Sequence, residues 1–403
     1  MTASIRAMHA ELVRDELALL LDLVRLDERE REAPASTGDR TADWSKFLAL
    51  AKHHRVYPAL SATLSKVEAP WLPDRVKEDL NKERRHNRLK MLSLAAEMSR
   101  TTAHLASAGI RSLILKGPLL AQDLYGDLSM RTSKDLDILI PANELDRVRS
   151  LLAELGYVCE KQKLPNVLNG WKWRHHHVSF FHPSHSLQLE IHWRLAPGPG
   201  REPGFDELWS RRREHSFGSG NAAYLGQEDQ FLYLIHHGAR HGWFRLRWLC
   251  DIDVLARRDL DWAACVRRAE RYRTDHLVGQ ALLLASALLG TPVPGGLAGL
   301  TRRKRASAHI PAVLSFIRDS LENAPPDRAR AYERYLIAIK PFSQRILYFL
   351  SLLYPYPMDA KTLPLPKSVH FLYFPLRPVL WAWRKLSGNG RPSLAKGGES
   401  KLL

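Results

Sequence analysis

The segments Leu113-Ile-Leu-Lys-Gly-Pro118 and Asp135-Leu-Asp-Ile-Leu-Ile140 decide the fold. The first is an apolar run ended by Gly117 and followed by a proline, which suits the first turn of a helix because its missing N–H needs no partner there. Residues 119 to 125 can then form about two helical turns. The second alternates in period two, which is typical of a strand. The stretch therefore predicts a strand, a glycine turn, a short helix and a second strand.

The second strand presents Asp135 and Asp137 on the same face, because side chains two residues apart in a strand point the same way. Two neighbouring carboxylates repel each other unless a cation lies between them. Oxygen ligands in this arrangement suit Mg²⁺ or Mn²⁺, which bind one or two carboxylates together with substrate phosphates. A glycine turn before a helix also presents backbone N–H groups to an anion. The alternative is an exposed strand end with two solvated aspartates, since a lone Asp-x-Asp is common.

The combined motif resembles a bacterial nucleotidyltransferase family, the uncharacterised branch of the superfamily with the polymerase-β-like core. The resemblance rests on Lys116-Gly117, Leu124-Tyr-Gly-Asp127, Arg131 and Asp135-Leu-Asp-Ile138, and it covers residues 75 to 255. It implies an α+β fold, an NTP substrate and a divalent metal held by acidic side chains. The chain departs from the wider superfamily in one respect, because no Gly-Ser dipeptide follows the first strand.

A predicted hairpin supplies the third candidate acid. Two β-prone runs, 178–181 and 187–193, flank a turn at 182–185. In the second run the apolar side chains alternate with a polar face that includes Glu190 and His192. The resemblance implies a third metal-ligating acid on a later strand, in a segment similar to Glu190-Ile-His192-Trp193. Without that resemblance, Glu190 reads as a solvated side chain on an outer face. It could also act as a general base.

Several basic and polar groups are candidates for nucleotide or phosphate binding. Lys116 and Arg131 would supply positive charge and the Gly117 turn would supply backbone donors. The resemblance extends to a later helix, which implies that Arg240 and His241 reach the triphosphate or the base. His192 belongs to the same expected set. The nearby Asp251 could be a helix N-cap or a partner for Arg240.

Histidines are concentrated between residues 175 and 192. They are His175, His176, His177, His182, His185 and His192. No cysteine lies among them and their spacing matches no common zinc motif, which favours a polar, phosphate-facing or structural role over zinc binding. His237 and His241 have the spacing of a zinc protease, but Gly238 stands where the catalytic glutamate would be. A protease is therefore disfavoured.

Composition limits the class of protein. The 403 residues include 60 Lys and Arg against 43 Asp and Glu, a formal net charge of +17. This excess favours anionic partners, which could be nucleotides, nucleic acid or an anionic membrane surface, although the arginine-rich composition of a protein from a GC-rich genome would produce it too. Three unpaired cysteines, no apolar leader and no run of 18 apolar residues predict a cytoplasmic protein without a transmembrane segment.

The chain divides by pattern into four parts. We expect an N-terminal helical region (1–74), a nucleotidyltransferase core (75–200), a helical domain (201–360) and a basic aromatic tail (361–403), disordered from residue 387. The fold class is α+β: a small mixed sheet of four or five strands embedded in helices. The aromatic and basic tail could dock on a membrane surface or cover a groove of its own protein.

The leading functional hypothesis is metal-dependent transfer of NMP from an NTP to an unidentified acceptor, which could be a small molecule, a peptide or a sugar phosphate. Asp135, Asp137 and Glu190 would hold Mg²⁺ or Mn²⁺. A second hypothesis is a non-catalytic scaffold that binds nucleic acid or a partner protein through its basic surface. A third is a phosphotransferase that moves the γ-phosphate instead.

Overall fold

The computed structural model describes residues 15–25, 42–159, 175–185, 187–198, 200–217, 220–319 and 325–386. Part of the predicted N-terminal helical region and all of the tail predicted to be disordered from residue 387 lie outside these ranges. No helix in the described ranges is long and apolar enough to cross a membrane.

Four helices precede the sheet in the described residues. They are α1 (Asp15–Arg25), α2 (Trp44–His53), α3 (Tyr57–Leu64) and α4 (Asp74–Ser107). Asp43 caps α2 by accepting a hydrogen bond from the Lys46 backbone N–H at 3.1 Å. Pro58 lies in the first turn of α3, where a proline is tolerated.

The sheet and its intervening helices come next along the chain. They are β1 (Leu113–Ile114), α5 (Pro118–Tyr125), β2 (Asp135–Leu139), α6 (Leu145–Glu154), β3 (Val158–Cys159), β4 (His177–His182), β5 (Leu187–His192), α7 (Phe205–Ser210), β6 (Arg213–Phe217) and β7 (Gly220–Tyr224). In the described residues these strands form one seven-stranded mixed sheet in the order β3-β4-β5-β2-β1-β7-β6. The α+β class is therefore confirmed.

The number of strands predicted from the sequence was too low. We expected four or five strands, but β6 and β7 raise this number and lie after residue 200. They pair antiparallel with each other, and β7 joins the sheet through the parallel pair Ile114 and Tyr224. Their sequences, Arg-Glu-His-Ser-Phe and Gly-Asn-Ala-Ala-Tyr, lack the β-branched enrichment that marks most strands. The sheet thus continues past residue 200, where we expected the core to end.

The sheet centre is where β2 runs parallel to β5. Their register places Asp135 opposite Gln188 and Asp137 opposite Glu190. The alternate residues of both strands, such as Leu136 and Leu189, are buried on the other face. That face packs against apolar side chains from the second half of α4 and from α6, forming one hydrophobic core. The two central strands are thus fixed by apolar packing on one side and carry acids on the other.

Helices make up most of the chain after the sheet. They are α8 (Gln227–Arg240), α9 (Leu246–Ala256), α10 (Trp262–Arg271), α11 (Asp275–Leu289), α12 (Ala298–Thr301), α13 (Lys304–Ser307), α14 (Ile310–Asp319), α15 (Pro326–Ala338), α16 (Phe342–Leu352), α17 (Pro357–Thr362) and α18 (Tyr373–Leu386). A second hydrophobic core joins many of them to α1, α2 and α3. The N-terminal helices and the later helices therefore support the sheet together.

Candidate active site

Asp137 lies at the centre of the polar face, and its side chain is 1% exposed. Lys116 Nζ is 3.2 Å and His192 Nε2 is 3.1 Å from Asp137 Oδ1. Burial by itself raises the pKa of Asp137, but Lys116 and His192 outweigh it and hold that pKa below its ordinary value. Asp137 is therefore an ionised carboxylate inside the protein, and the alternative of a solvated aspartate does not apply to it.

The second oxygen of this carboxylate has no hydrogen-bond partner. Asp137 Oδ2 is buried and makes no hydrogen bond within the described structure. A buried, ionised oxygen left in this state is costly, and native proteins rarely tolerate it without an ion or water in place. A bound cation would satisfy it.

Glu190 stands beside Asp137 on the neighbouring strand. It is also buried, at 4% exposure, so it is not a solvated outer residue. His192 Nε2 lies 3.5 Å from Glu190 Oε2, and His177 Nε2 lies 3.7 Å from Oε1. Burial lowers the pKa of His192, but its hydrogen bonds to Asp137 and Glu190 raise the pKa above the ordinary value. The acids and the imidazole thus form one coupled, buried group.

Three of these side chains have the geometry of a metal centre. Potential ligand atoms of Asp137, Glu190 and His192 all lie within 4.8 Å of one another. Two carboxylates and one imidazole suit a divalent cation: carboxylate oxygens suit Mg²⁺ and Mn²⁺, and the imidazole adds a nitrogen donor that transition metals accept. The unpartnered Asp137 Oδ2 is consistent with that fit. His192, which we expected to contact nucleotide, is thus also a candidate ligand.

Asp135 occupies a different position on the same face. It begins β2, is half-buried, and lies opposite Gln188 rather than Glu190. Asp135 does not belong to either of the three-residue groups of potential metal ligands found among the described residues. Its role as a metal ligand stays a prediction.

The glycine turn has the predicted form. Gly117 adopts φ 97° and ψ −148°, a conformation essentially restricted to glycine, and it is the N-cap of α5. The Leu115 backbone N–H donates to the Asp137 carbonyl at 3.0 Å. Gln230 Nε2 donates to the Leu115 carbonyl at 3.1 Å. Lys116 is therefore held next to Asp137 by backbone contacts on its N-terminal side and by the turn on its other side.

Arg131 makes a buried ion pair with Asp251. Its Nε donates to both carboxylate oxygens of Asp251 at 3.1 Å, and Tyr125 Oη donates to the same carboxylate at 2.9 Å. Our two interpretations of Asp251 were wrong, because it lies within α9 rather than at its start and binds Arg131 rather than Arg240. Arg131 thus ties the loop before β2 to α9, and its role in phosphate binding stays a prediction.

Arg240 reaches the site through a histidine. Its Nη1 donates to His176 Nε2 at 2.6 Å, and the His176 ring lies 5.3 Å from the His192 ring between centroids. Burial, reinforced by Arg240, holds the pKa of His176 well below its ordinary value, so this imidazole is neutral and can accept the hydrogen bond. Arg240 Nη2 also lies 3.4 Å from His241 Nε2. The end of α8 therefore meets the residue that precedes β4, and the roles of Arg240 and His241 in nucleotide binding stay a prediction.

Several neighbours of the acids lie outside the set of site residues predicted from the sequence. His176, His177 and His192 form a second group with ligand atoms within 4.8 Å of one another. On α8, Tyr233 and His237 precede Arg240 at intervals of four and three residues, so they share its helix face. Burial raises the pKa of Tyr233, and Lys116 and Asp137 are among the charges that act on it. The spacing on α8 was a signal that could have placed these residues near the site.

Comparison with known proteins agrees with this architecture. The chain belongs to the family described as uncharacterised nucleotidyltransferase, whose model matches residues 40–290. Neither the curated proteins nor the solved structures include a match. The matched range includes the sheet, α8 and α9, and therefore every candidate site residue named above.

Proposed function

We propose that the protein transfers a nucleoside monophosphate from an NTP to an acceptor in a reaction that depends on a divalent metal. The observation that carries the proposal is the buried pair Asp137 and Glu190, held side by side on parallel strands with Lys116 at hydrogen-bonding distance from one of them. Membership of a nucleotidyltransferase family supports the same chemistry. Burying two carboxylates does not stabilise the fold by itself, because removing charges from water costs free energy.

The site residues divide into two roles. Asp137 and Glu190 would hold Mg²⁺ or Mn²⁺, with Asp135 completing the set at the start of β2 and His192 as a further donor. Lys116, the backbone N–H groups after Gly117, and Arg240 with His241 would bind the triphosphate. Bound metal supplies charge neutralisation and lowers the pKa of a coordinated hydroxyl.

The transfer itself requires positioning more than covalent help. An acceptor oxygen attacks the α-phosphorus in line, a new P–O bond forms, and the bond to the leaving pyrophosphate breaks. The acceptor proton must move to a base. Glu190 is the candidate base if its carboxylate does not bind the metal. Lys116 would stabilise negative charge on the phosphates during this step. We propose an acceptor that is a small molecule, a peptide or a sugar phosphate.

The test compares two labels on the same nucleotide. The full-length protein is incubated with Mg²⁺ or Mn²⁺ and each NTP labelled at the α- or the γ-phosphorus, with cell extract as the source of acceptor. Transfer of α-label with release of pyrophosphate, lost in Asp137→Asn, is the expected result. Fractionation of the labelled product then gives the acceptor class.

Other outcomes would replace the proposal. Transfer of γ-label alone would make the protein a phosphotransferase. Salt-sensitive binding of extract nucleic acid without turnover of any NTP would favour the scaffold hypothesis, because phosphate contacts release counterions.

A further inference from the structure

The exposed apolar side chains of this protein are concentrated in one segment. Among the described residues, 20 large hydrophobic side chains are exposed, and 16 of them lie between 342 and 386. Scattered exposed apolar residues need no explanation, but a concentration of this kind marks an interaction surface. The segment forms α16, α17 and α18, outside the range that the family model matches.

Helix α16 is amphipathic with its apolar face turned outward. Phe342, Ile346, Phe349, Leu350 and Leu353 recur at helical spacing, and all are exposed. Phe342 is 75% exposed, and no residue of α16 is buried. Ser343 at its start accepts a hydrogen bond from Arg273 Nη1 at 2.9 Å. The helix is therefore attached to the helical body without burying its apolar face on it.

The following segment has its own small core. Asp359 is fully buried and pairs with Arg377 at 2.6 Å and Arg384 at 2.8 Å, which joins α17 to α18. The buried Tyr373 donates its hydroxyl proton to the Leu363 carbonyl at 2.7 Å. These contacts order the segment internally, while Phe371, Phe374, Trp381 and Trp383 remain exposed.

The outward aromatic side chains of α18 include both tryptophans. Trp381 is 55% exposed and Trp383 is 65% exposed, and Val379 and Leu386 are exposed beside them. The alternative that this tail covers a groove of its own protein therefore does not describe these side chains. Tryptophan is the residue most typical of the boundary between headgroups and acyl chains.

The charge of the surface selects among possible partners. Asp359 is the only acidic residue between 341 and 386, and it is buried in its ion pairs. The exposed charged side chains there include Lys361 and Lys367. A surface that combines exposed Trp, Phe and Leu with lysine, and presents no acid, complements an anionic bilayer. Nucleic acid would leave the aliphatic face of α16 in water.

We propose that α16, α17 and α18 form a peripheral membrane-binding surface that inserts its aromatic and aliphatic side chains at the interface of an anionic bilayer. Lys361 and Lys367 contribute electrostatic attraction, and the apolar side chains contribute partition into the interface. The proposal does not depend on the proposed nucleotidyl transfer, since none of these residues belongs to the candidate active site.

Vesicle flotation of the full-length protein tests it. Binding to vesicles of phosphatidylcholine with phosphatidylglycerol is expected, with much weaker binding to phosphatidylcholine alone. Trp381→Ser/Trp383→Ser should weaken partition at least about tenfold, because two interfacial anchors are lost. Lys361→Ala/Lys367→Ala should weaken binding to anionic vesicles by about fivefold for each lysine.

The matched control removes two exposed leucines elsewhere. Leu89→Ser/Leu92→Ser on α4 removes two apolar side chains that are 69% and 48% exposed, and it should leave flotation unchanged. If the wild-type protein does not float, or if the control weakens binding as much as the tryptophan variant, the proposal is wrong. A dimer in solution that the tryptophan variant dissociates, with no flotation, would instead assign the surface to a second copy of the chain.

A fluorescence measurement on a second variant distinguishes loss of membrane binding from misfolding of the serine variant. Brominated lipids should quench wild-type tryptophan emission on binding. Trp381→Leu/Trp383→Leu should keep apolar insertion and flotation while losing part of that quenching. Equal quenching in both proteins would contradict insertion through α18.

Discussion

Asp137 on β2 and Glu190 on β5 are register partners in adjacent parallel strands, and both carboxylates are buried. Apolar residues on either side of each acid pack into the core beneath the sheet, so the two acids cannot move apart without disturbing that packing. The two acids are therefore preorganised to bind one ligand together. The positive charges of Lys116 and His192 keep Asp137 ionised.

Neutralising either acid should abolish transfer without unfolding the protein. Asp137→Asn and Glu190→Gln keep the side-chain shape but remove a negative charge, and we expect the turnover number to fall by about a hundredfold or more. The measurement is α-label transfer, with circular dichroism to check folding. Asp206→Asn, which alters an acid outside the site, is the matched control and should retain turnover. Full turnover by Asp137→Asn would refute the site assignment.

The Gly117 turn should be intolerant of a side chain. Gly117→Ala forces alanine into a backbone region restricted to glycine, which costs about 1–3 kcal/mol of unfolding free energy. The added Cβ would also lie 3.4 Å from Leu136 Cδ2. Because the turn presents the proposed phosphate donors, KM for the NTP should rise as well.

Gly109→Ala is the control that separates the effect of backbone strain on stability from an effect on nucleotide binding. Gly109 also has a positive φ of 72°, but nothing lies within 4 Å of the position that an added Cβ would take. We expect a smaller loss of stability, measured by urea unfolding, and an unchanged KM. A rise in KM for Gly109→Ala equal to that for Gly117→Ala would remove the case for phosphate binding at Gly117.

The Arg131–Asp251 pair should be essential for stability. Asp251→Ala leaves the buried guanidinium uncompensated, and removing one partner of such a pair costs about 3–5 kcal/mol. Replacing both partners, Arg131→Met with Asp251→Leu, should recover much of that loss in urea unfolding. A loss below about 1 kcal/mol for Asp251→Ala would contradict this account. If the double variant folds and its KM for NTP is unchanged, Arg131 has only the structural role.

His276 should make stability depend on pH. Its Nε2–H donates to the Ile339 carbonyl, its Nδ1 is buried without a hydrogen-bond partner, and burial lowers its pKa to about 4 from an ordinary 6.5. The unfolded chain therefore binds the proton more readily, so stability falls as pH drops from 6.5 towards 4. The loss attributable to this residue is about 3 kcal/mol.

His276→Gln keeps an N–H donor and removes the titration. The variant should show a shallower loss of urea-unfolding free energy between pH 6.5 and 4. His86→Gln alters an exposed histidine and should follow the wild-type curve. An identical pH slope in His276→Gln and wild type would show that this imidazole does not control acid stability.

Strong local patterns made much of the architecture predictable. Pro118 after Gly117 marked the start of α5, and the alternation from residue 135 marked β2. The hairpin of β4 and β5 followed from two β-prone runs around a turn. These elements are recognisable because each is specified by its own residues.

The features that sequence reasoning missed depend on distant partners. Strands β6 and β7 are weakly β-prone and owe their conformation to pairing, including one parallel contact with β1. Asp251 bonds to Arg131, 120 residues away in the chain, so no local pattern indicates the pair. The burial of Glu190 and His192 was also unpredictable, because alternation distinguishes two faces of a strand but not which polar face is covered by helices.

The most direct test of the central claim measures the metal itself. The full-length protein is titrated with Mn²⁺, and binding is measured as loss of the electron paramagnetic resonance signal of the free ion. Wild type and Asp206→Asn should each bind an ion. Asp137→Asn/Glu190→Gln should bind at least about tenfold more weakly. Equal Mn²⁺ affinity in that double variant, shown to be folded, would contradict a metal centre built on these two acids.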